Sequence, residues 1–201
     1  MIARARPTTP TGIGETSRRR YHPPVHPPVR TRLAAPGDAD AIRAIYNVEV
    51  LGSTNTFDMV PRTAHEQASW LDEHRGVHPA IVAIEGAGVT RGHVGADGEI
   101  VLGFGSLSVY RERPGYAATA ENSLYVDRDH RGKGIGRALL DELLTLARGH
   151  GFHSLIARIA GHNETSIGLH RAAGFELVGV EREVGRKHRQ WLDVVELQRV
   201  L

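Results

Sequence analysis

The sequence predicts one α/β domain, a mixed central sheet with flanking helices, behind a disordered N-terminal extension. Three observations carry this. Strand-like and helix-like patterns alternate from Arg30 onward, and a glycine-rich turn joins a strand to a strongly amphipathic helix within 124–144. Residues 1–29 are rich in Pro, Arg and Thr and have no hydrophobic periodicity, so they cannot bury enough apolar surface to offset their ordering entropy. The expected organisation is a tail over 1–29 and a domain over 30–201.

The elements follow in order. "VRTRLA" reads as a short strand, and Asp38 is placed to cap a helix over 39–50 with Ile42, Ile45 and Tyr46 on one face. Pro61 and a Thr63 cap precede a second helix over 64–75. Buried strands are expected at 80–84 and 100–110, separated by a Gly-rich connection at 85–98. A strand at 119–126 leads through a polar turn to a helix from Gly136 to about His150. A strand at 154–160 is followed by a helix over 163–173 that Gly174 stops. Segments 176–183 and 190–200 close the domain as an antiparallel pair.

Composition narrows the function. The 201 residues are 40% hydrophobic, enough for one core, and contain no cysteine. That excludes disulfide scaffolds, thiolate zinc sites and cysteine nucleophiles. No run approaches a membrane span and no secretory h-region opens the chain, so a cytoplasmic protein without a membrane partner is expected. The formal charge of +2 is uneven: residues 1–32 sum to +6 and the rest to −4. A basic groove for nucleic acid is therefore not expected on the body.

The most informative stretch is "LYVDRDHRGKGIGRALLDELL". After the strand, Arg131-Gly132-Lys133-Gly134-Ile135-Gly136-Arg137 opens the helix. Glycines let a backbone approach a ligand closely, and successive N–H groups at a helix start point at an anion. A pyrophosphate suits this construction, although neither usual nucleotide fingerprint is present. The plainer alternative is a glycine turn that only eases the strand into the helix.

Arg131-x-x-Gly134-x-Gly136 after "YV" matches the acetyl-CoA pyrophosphate loop of the GNAT N-acetyltransferases. "TAENSLYVDRDHRGKGIG", "NETSIGLHRAAGFELVGV", "EVGRKHRQWLDVVELQ" and "IYNVEV" together resemble the phosphinothricin and methionine sulfoximine (or sulfone) acetyltransferase branch, over roughly 30–200. The chain departs from that pattern at Ala117-Ala118 and in its longer 85–98 loop. The resemblance implies acetyl-CoA as co-substrate and a small amine acceptor. Backbone of Leu124, Tyr125 and Val126 would pair with the pantetheine arm, and residues 131–137 would cradle the phosphates. Relatives are usually homodimers, for which "WLDVVEL" is either interface or core.

Acetyl transfer to an amine needs a base, because an α-amine is mostly protonated at neutral pH. Glu121 lies in an otherwise apolar strand, with Ser123 and Tyr125 on its face by alternation. Desolvation there raises a carboxyl pKa, as a base requires, whereas a half-exposed strand would leave an ordinary surface glutamate. By resemblance Glu121 is the catalytic glutamate, and His170 is its partner base or proton donor; from the residues alone His170 is equally a packed helix histidine. Asn163 is expected to cap its helix and, by resemblance, to bind the pantetheine end. On the acceptor side, Arg111, Arg113 and Tyr116 precede the catalytic strand. Two fixed guanidinium groups suit a carboxylate, phosphinate or sulfone, although exposed loop arginines often serve solubility alone. Phe57, with Asp58, matches a segment of the family's acceptor pocket. No metal is expected: the histidines lack ligand spacing.

Three functions compete. Small-amino-acid acetylation is favoured by the arginine pair. Acetylation of a protein N-terminus or lysine would want an open acidic groove. A catalytically silent CoA-binding regulatory module would show a broken phosphate loop or lack Glu121, and the sequence has both features intact.

Overall fold

The structure, a computed structural model, describes residues 29–85 and 92–201. The Arg/Pro-rich segment through residue 28 and residues 86–91 of the Gly-rich connection lie outside them. The described elements run β1 (Arg30–Leu33), α1 (Ala39–Gly52), α2 (Ala64–Glu73), β2 (Ala80–Ile84), β3 (His93–Val94) and β4 (Ile100–Val109). They continue with β5 (Thr119–Val126), α3 (Ile135–Gly149), β6 (Ser154–Ala160), α4 (Glu164–Ala172), β7 (Glu176–Lys187) and β8 (Gln190–Val200).

The strands form one sheet in the order β1-β2-β4-β5-β6-β8-β7, with the short β3 paired to β4. Among the described strands only β5 and β6 run parallel, joined across α3 as a β-α-β unit. Helices cover both faces. Ile42, Ile45, Tyr46 and Val50 of α1 and Leu71 of α2 pack with Val82, Ile84, Val101 and Phe104 on one side. On the other, Leu139, Leu140, Leu143 and Leu144 of α3 recur at helical spacing and pack with Leu107, Leu155, Phe175 and Leu197. No helix among the described residues is long and apolar enough to cross a membrane.

Local chemistry fixes the element ends. Thr63 Oγ1 accepts from Glu66 N at 3.2 Å and Glu66 Oε2 accepts from Thr63 N at 2.7 Å, a reciprocal cap that starts α2 as expected. Asp38 does otherwise than expected. Its buried carboxylate makes no cap bond to α1; it accepts from Arg32 at 2.6 and 3.0 Å, from Ala35 N at 2.8 Å and from Ala96 N at 2.8 Å. Burial pushes its pKa up, but the Arg32 pair and the backbone donors prevail and hold it low.

Two further differences from the sequence reading have physical causes, and one open alternative is decided. β3 interrupts the Gly-rich connection, where two residues are too few to show alternation. β7 runs on to Lys187 because its turn is made by His188 (φ 48°) and Arg189 (φ 64°), residues that do not announce a left-handed turn. "WLDVVEL" is mostly core: Leu192, Val194, Val195 and Leu197 are buried and Trp191 is exposed.

Candidate active site

The parallel pairing of β5 with β6 stops early. Thr119, Ala120 and Glu121 face Ser154, Leu155 and Ile156; beyond that β5 is bonded only to β4 and β6 only to β8. The strands splay apart, leaving two facing backbone edges without each other as partners. Between them opens a cleft of about 430 Å³. Its lining includes Leu124, Tyr125, Val126, Arg131, Gly132, Gly134, Ile135, Gly136, Arg137, Asn163 and His170. The structure thus gathers most of the expected donor-binding residues at one opening, with Lys133 in the same loop.

The loop closes the cleft at the end of β5. Gly132 (φ 74°) and Gly134 (φ 82°) occupy the left-handed region, where a side chain is strained, and Gly134 caps α3. The first turn of α3 carries free N–H groups, and Arg131, Lys133 and Arg137 add charge. At the opposite wall Asn163 Oδ1 accepts from Ser166 N at 3.1 Å, the expected cap of α4, and Asn163 also lines the cleft.

Glu121 sits at the last paired step before the splay, half-buried and on the face of β5 that also carries Ser123 and Tyr125. Burial raises its carboxyl pKa; Arg158 opposes this, while Glu196 and Glu181 push it further up. Arg158, on β6 just past the splay, is paired with Glu181 and also lines the cleft.

His170 is buried on the other face. Its Nδ1 lies 2.8 Å from the Ser166 carbonyl, which can only accept, so Nδ1 carries a hydrogen. Burial lowers its pKa, with the Ser166 bond opposing, and the neutral ring then accepts at Nε2 from Asn122 Nδ2, 2.9 Å away. His170 is therefore tied to Asn122, and Glu121 has no hydrogen bond to it.

Arg111, Arg113 and Tyr116 do not line the cleft. With Glu112 they form a surface depression before β5. Arg111 stacks over Tyr110 and Tyr116 at 5.0 and 5.4 Å, and Tyr110 Oη donates to Glu196 at 3.4 Å. The depression is thereby linked to the Glu121 face. Phe57 lies on the loop that follows α1, packed so closely on Gly185 of β7 that a Cβ there would sit 2.1 Å from its ring. Beside it the buried Lys187 ammonium donates to the Thr56 carbonyl at 2.9 Å. Tyr46 Oη lies 2.9 Å from Thr56 Oγ1 and donates to Asp58 at 2.6 Å, so the loop over 53–58 is pinned from two sides.

Four residues here escaped the sequence reading: Glu49, Asn55, Asn122 and Arg158. Two left signals. Glu49 continues the apolar face of α1 set by Ile42, Ile45 and Tyr46, where a carboxylate is out of place without a partner. Asn122 alternates with Ala120 and Leu124 on the inward side of β5. Asn55 and Arg158 acquire meaning only once the splay is known.

Comparison with known proteins agrees with this architecture. A model of the acetyltransferase (GNAT) family matches residues 44–175. The chain is 38% identical over 168 residues to an L-methionine sulfoximine/L-methionine sulfone acetyltransferase of Pseudomonas aeruginosa, covering 83% of this chain and 91% of the relative. It is 34% identical over 173 residues to a phosphinothricin N-acetyltransferase of Streptomyces coelicolor, covering 86% and 96%. A GNAT phosphinothricin acetyltransferase from Sinorhizobium meliloti, solved in complex with acetyl-CoA, superposes with a TM-score of 0.77 at 36% identity, covering 86% and 88%. The chain belongs to the GNAT family of acetyltransferases. It is an N-acetyltransferase with acetyl-CoA as co-substrate.

Proposed function

We propose that the protein transfers the acetyl group of acetyl-CoA to the amino group of a small amino-acid-like acceptor, of the phosphinothricin or methionine sulfoximine/sulfone type, by direct attack in a ternary complex. The observation that carries this is the splay of β5 from β6 beginning at Glu121, which sets a donor cleft and a raised-pKa carboxylate on one strand. The names of the relatives support the acceptor class.

The cleft fits the donor on three counts. Its two strand edges offer backbone groups to an amide-bearing arm, as an added strand would use them. The glycine loop and the first turn of α3 offer N–H groups to a pyrophosphate. Asn122 Oδ1, buried at the cleft and without a partner among the described residues, is left to accept from a ligand N–H.

Glu121 takes the amine proton, directly or through water. The freed nitrogen attacks the thioester carbonyl, the C–N bond forms and the C–S bond breaks. The departing thiolate takes its proton from water on the cleft side, where His170 stands. Arg111, Arg113 and Tyr116 orient the acceptor's anionic or sulfonyl end from the start of β5, and Phe57 walls the pocket. Free N–H groups along the splay stabilise the developing oxyanion.

The working unit in this reading is a cytoplasmic homodimer. The edge strand β7 exposes Leu177, Val178, Val180 and Val184, an apolar edge that monomeric proteins usually protect. Val180→Lys should shift the sedimentation of a dimer to that of a monomer.

The test of function is an acceptor screen with acetyl-CoA and thiol detection over amino acids and their sulfoximine, sulfone and phosphinate analogues. Thiol release and an N-acetyl product with a phosphinate or sulfoximine acceptor are expected. Turnover of peptide N-termini alone would replace this reading with the protein-acceptor one.

A further inference from the structure

Glu49 is the one acid among the described residues that line the donor cleft. An anion beside a pyrophosphate site needs a reason, and its contacts supply one. Glu49 is 2% exposed. Oε1 accepts from Arg128 Nε at 2.7 Å and from Arg131 Nη2 at 2.8 Å, and Oε2 accepts from Asn55 Nδ2 at 2.9 Å. Arg131 Nε donates to the Val126 carbonyl at 3.3 Å, so its guanidinium is gripped at two points and Nη1 stays free for a ligand. Asn55 in turn accepts from Asn163 Nδ2 at 3.3 Å. A continuous chain of polar contacts thus runs from the glycine loop to the cap of α4, across the mouth of the cleft.

We propose that Glu49 is a positioning residue for the acyl donor: it holds Arg131 ready for the pyrophosphate. This rests on the reading of residues 131–137 as the phosphate cradle. Two effects compete when Glu49 is removed. Loss of its charge leaves the loop more positive, which favours an anion; loss of its grip frees a long side chain whose value lies in fixed geometry. The loop is exposed to water and salt, which screen the first effect, while ordering is not screened. The ordering loss therefore dominates, and donor binding weakens.

The experiment compares Glu49→Gln and Glu49→Ala with the unmodified enzyme, using acetyl-CoA and S-acetylpantetheine, a donor with the same thioester and no pyrophosphate. The acetyl-CoA KM should rise about tenfold, in line with the loss of a charged hydrogen bond, with kcat at saturating donor within about twofold. S-acetylpantetheine should lose less than about threefold in kcat/KM, a contrast that a merely structural role would not produce. In an Arg131→Ala background, Glu49→Ala should add little. An unchanged or lowered acetyl-CoA KM, or equal losses with both donors, overturns the proposal for Glu49. If Arg131→Ala alone leaves the acetyl-CoA KM unmoved, the cradle reading fails and the Glu49 proposal falls with it. Glu49→Gln preserves size and one accepting oxygen, so the comparison stands even where the alanine variant does not fold.

Discussion

Glu121 and His170 lie on opposite faces of β5. Glu121 shares its face with Arg158 and Glu196, whereas His170 meets the strand from behind, Nε2 to Asn122 Nδ2 at 2.9 Å. The histidine lone pair is already engaged, and burial keeps the ring neutral. A division of labour follows. In the proposed mechanism Glu121 acts on the incoming amine, and the thiolate leaves on the side where His170 stands.

His170→Ala should therefore cost less than loss of Glu121, because water can protonate a thiolate that is already a good leaving group. We expect a drop in kcat of about tenfold or less, below the usual range for a general base. Steady-state kinetics with saturating donor decide this; a loss as large as that of Glu121→Gln would make His170 the base.

Gly134→Val should abolish donor binding and leave the fold intact. Nothing lies within 4 Å of a Cβ at this position, so the cost is backbone strain at φ 82°, not a clash. A β-branched residue is strongly disfavoured there, and the loop must turn its N–H groups elsewhere. Calorimetric titration with CoA should show no measurable heat of binding, with an unchanged circular dichroism spectrum.

Arg111 and Arg113 should act on the acceptor alone. Neutralising either is expected to raise the acceptor KM by about tenfold or more, the scale of a lost charged hydrogen bond, while the acetyl-CoA KM holds. Unchanged acceptor kinetics in both variants would reduce these arginines to solvated surface groups.

Arg189→Gly should stabilise the protein. Arg189 is exposed and held at φ 64° in the β7–β8 turn. Relieving a left-handed non-glycine residue is worth about 1 kcal/mol, or about 2–4 °C in Tm for a chain of this size. Differential scanning calorimetry measures it directly.

Much of this was legible in the sequence. The glycine run at 131–137, the Thr63 cap and the leucine stripe of α3 are local signals, because each depends on neighbours within a turn or two. That Glu121 shares a face with Ser123 and Tyr125 also followed from alternation alone. What stayed hidden depends on distant pairing. The early end of β5–β6 pairing at Glu121 is a property of two strands separated by a helix, and no run of residues encodes it visibly. Asp38 looked like a cap because the sequence does not reveal that Arg32 and Ala96 converge on it. Arg111 and Glu121, close in sequence, meet only through Tyr110 and Glu196, the latter contributed by the far strand β8.

The most direct test is the pH–rate profile of the unmodified enzyme and Glu121→Gln with a phosphinothricin-type acceptor. The base works as a carboxylate, so activity should fall as pH drops through its raised pKa. Glu121→Gln keeps the shape and removes the base. Its kcat should fall by about a hundred- to ten-thousand-fold, with coenzyme affinity unchanged and the acidic limb gone. Near-native turnover with the same acidic limb would contradict the account and place the base elsewhere.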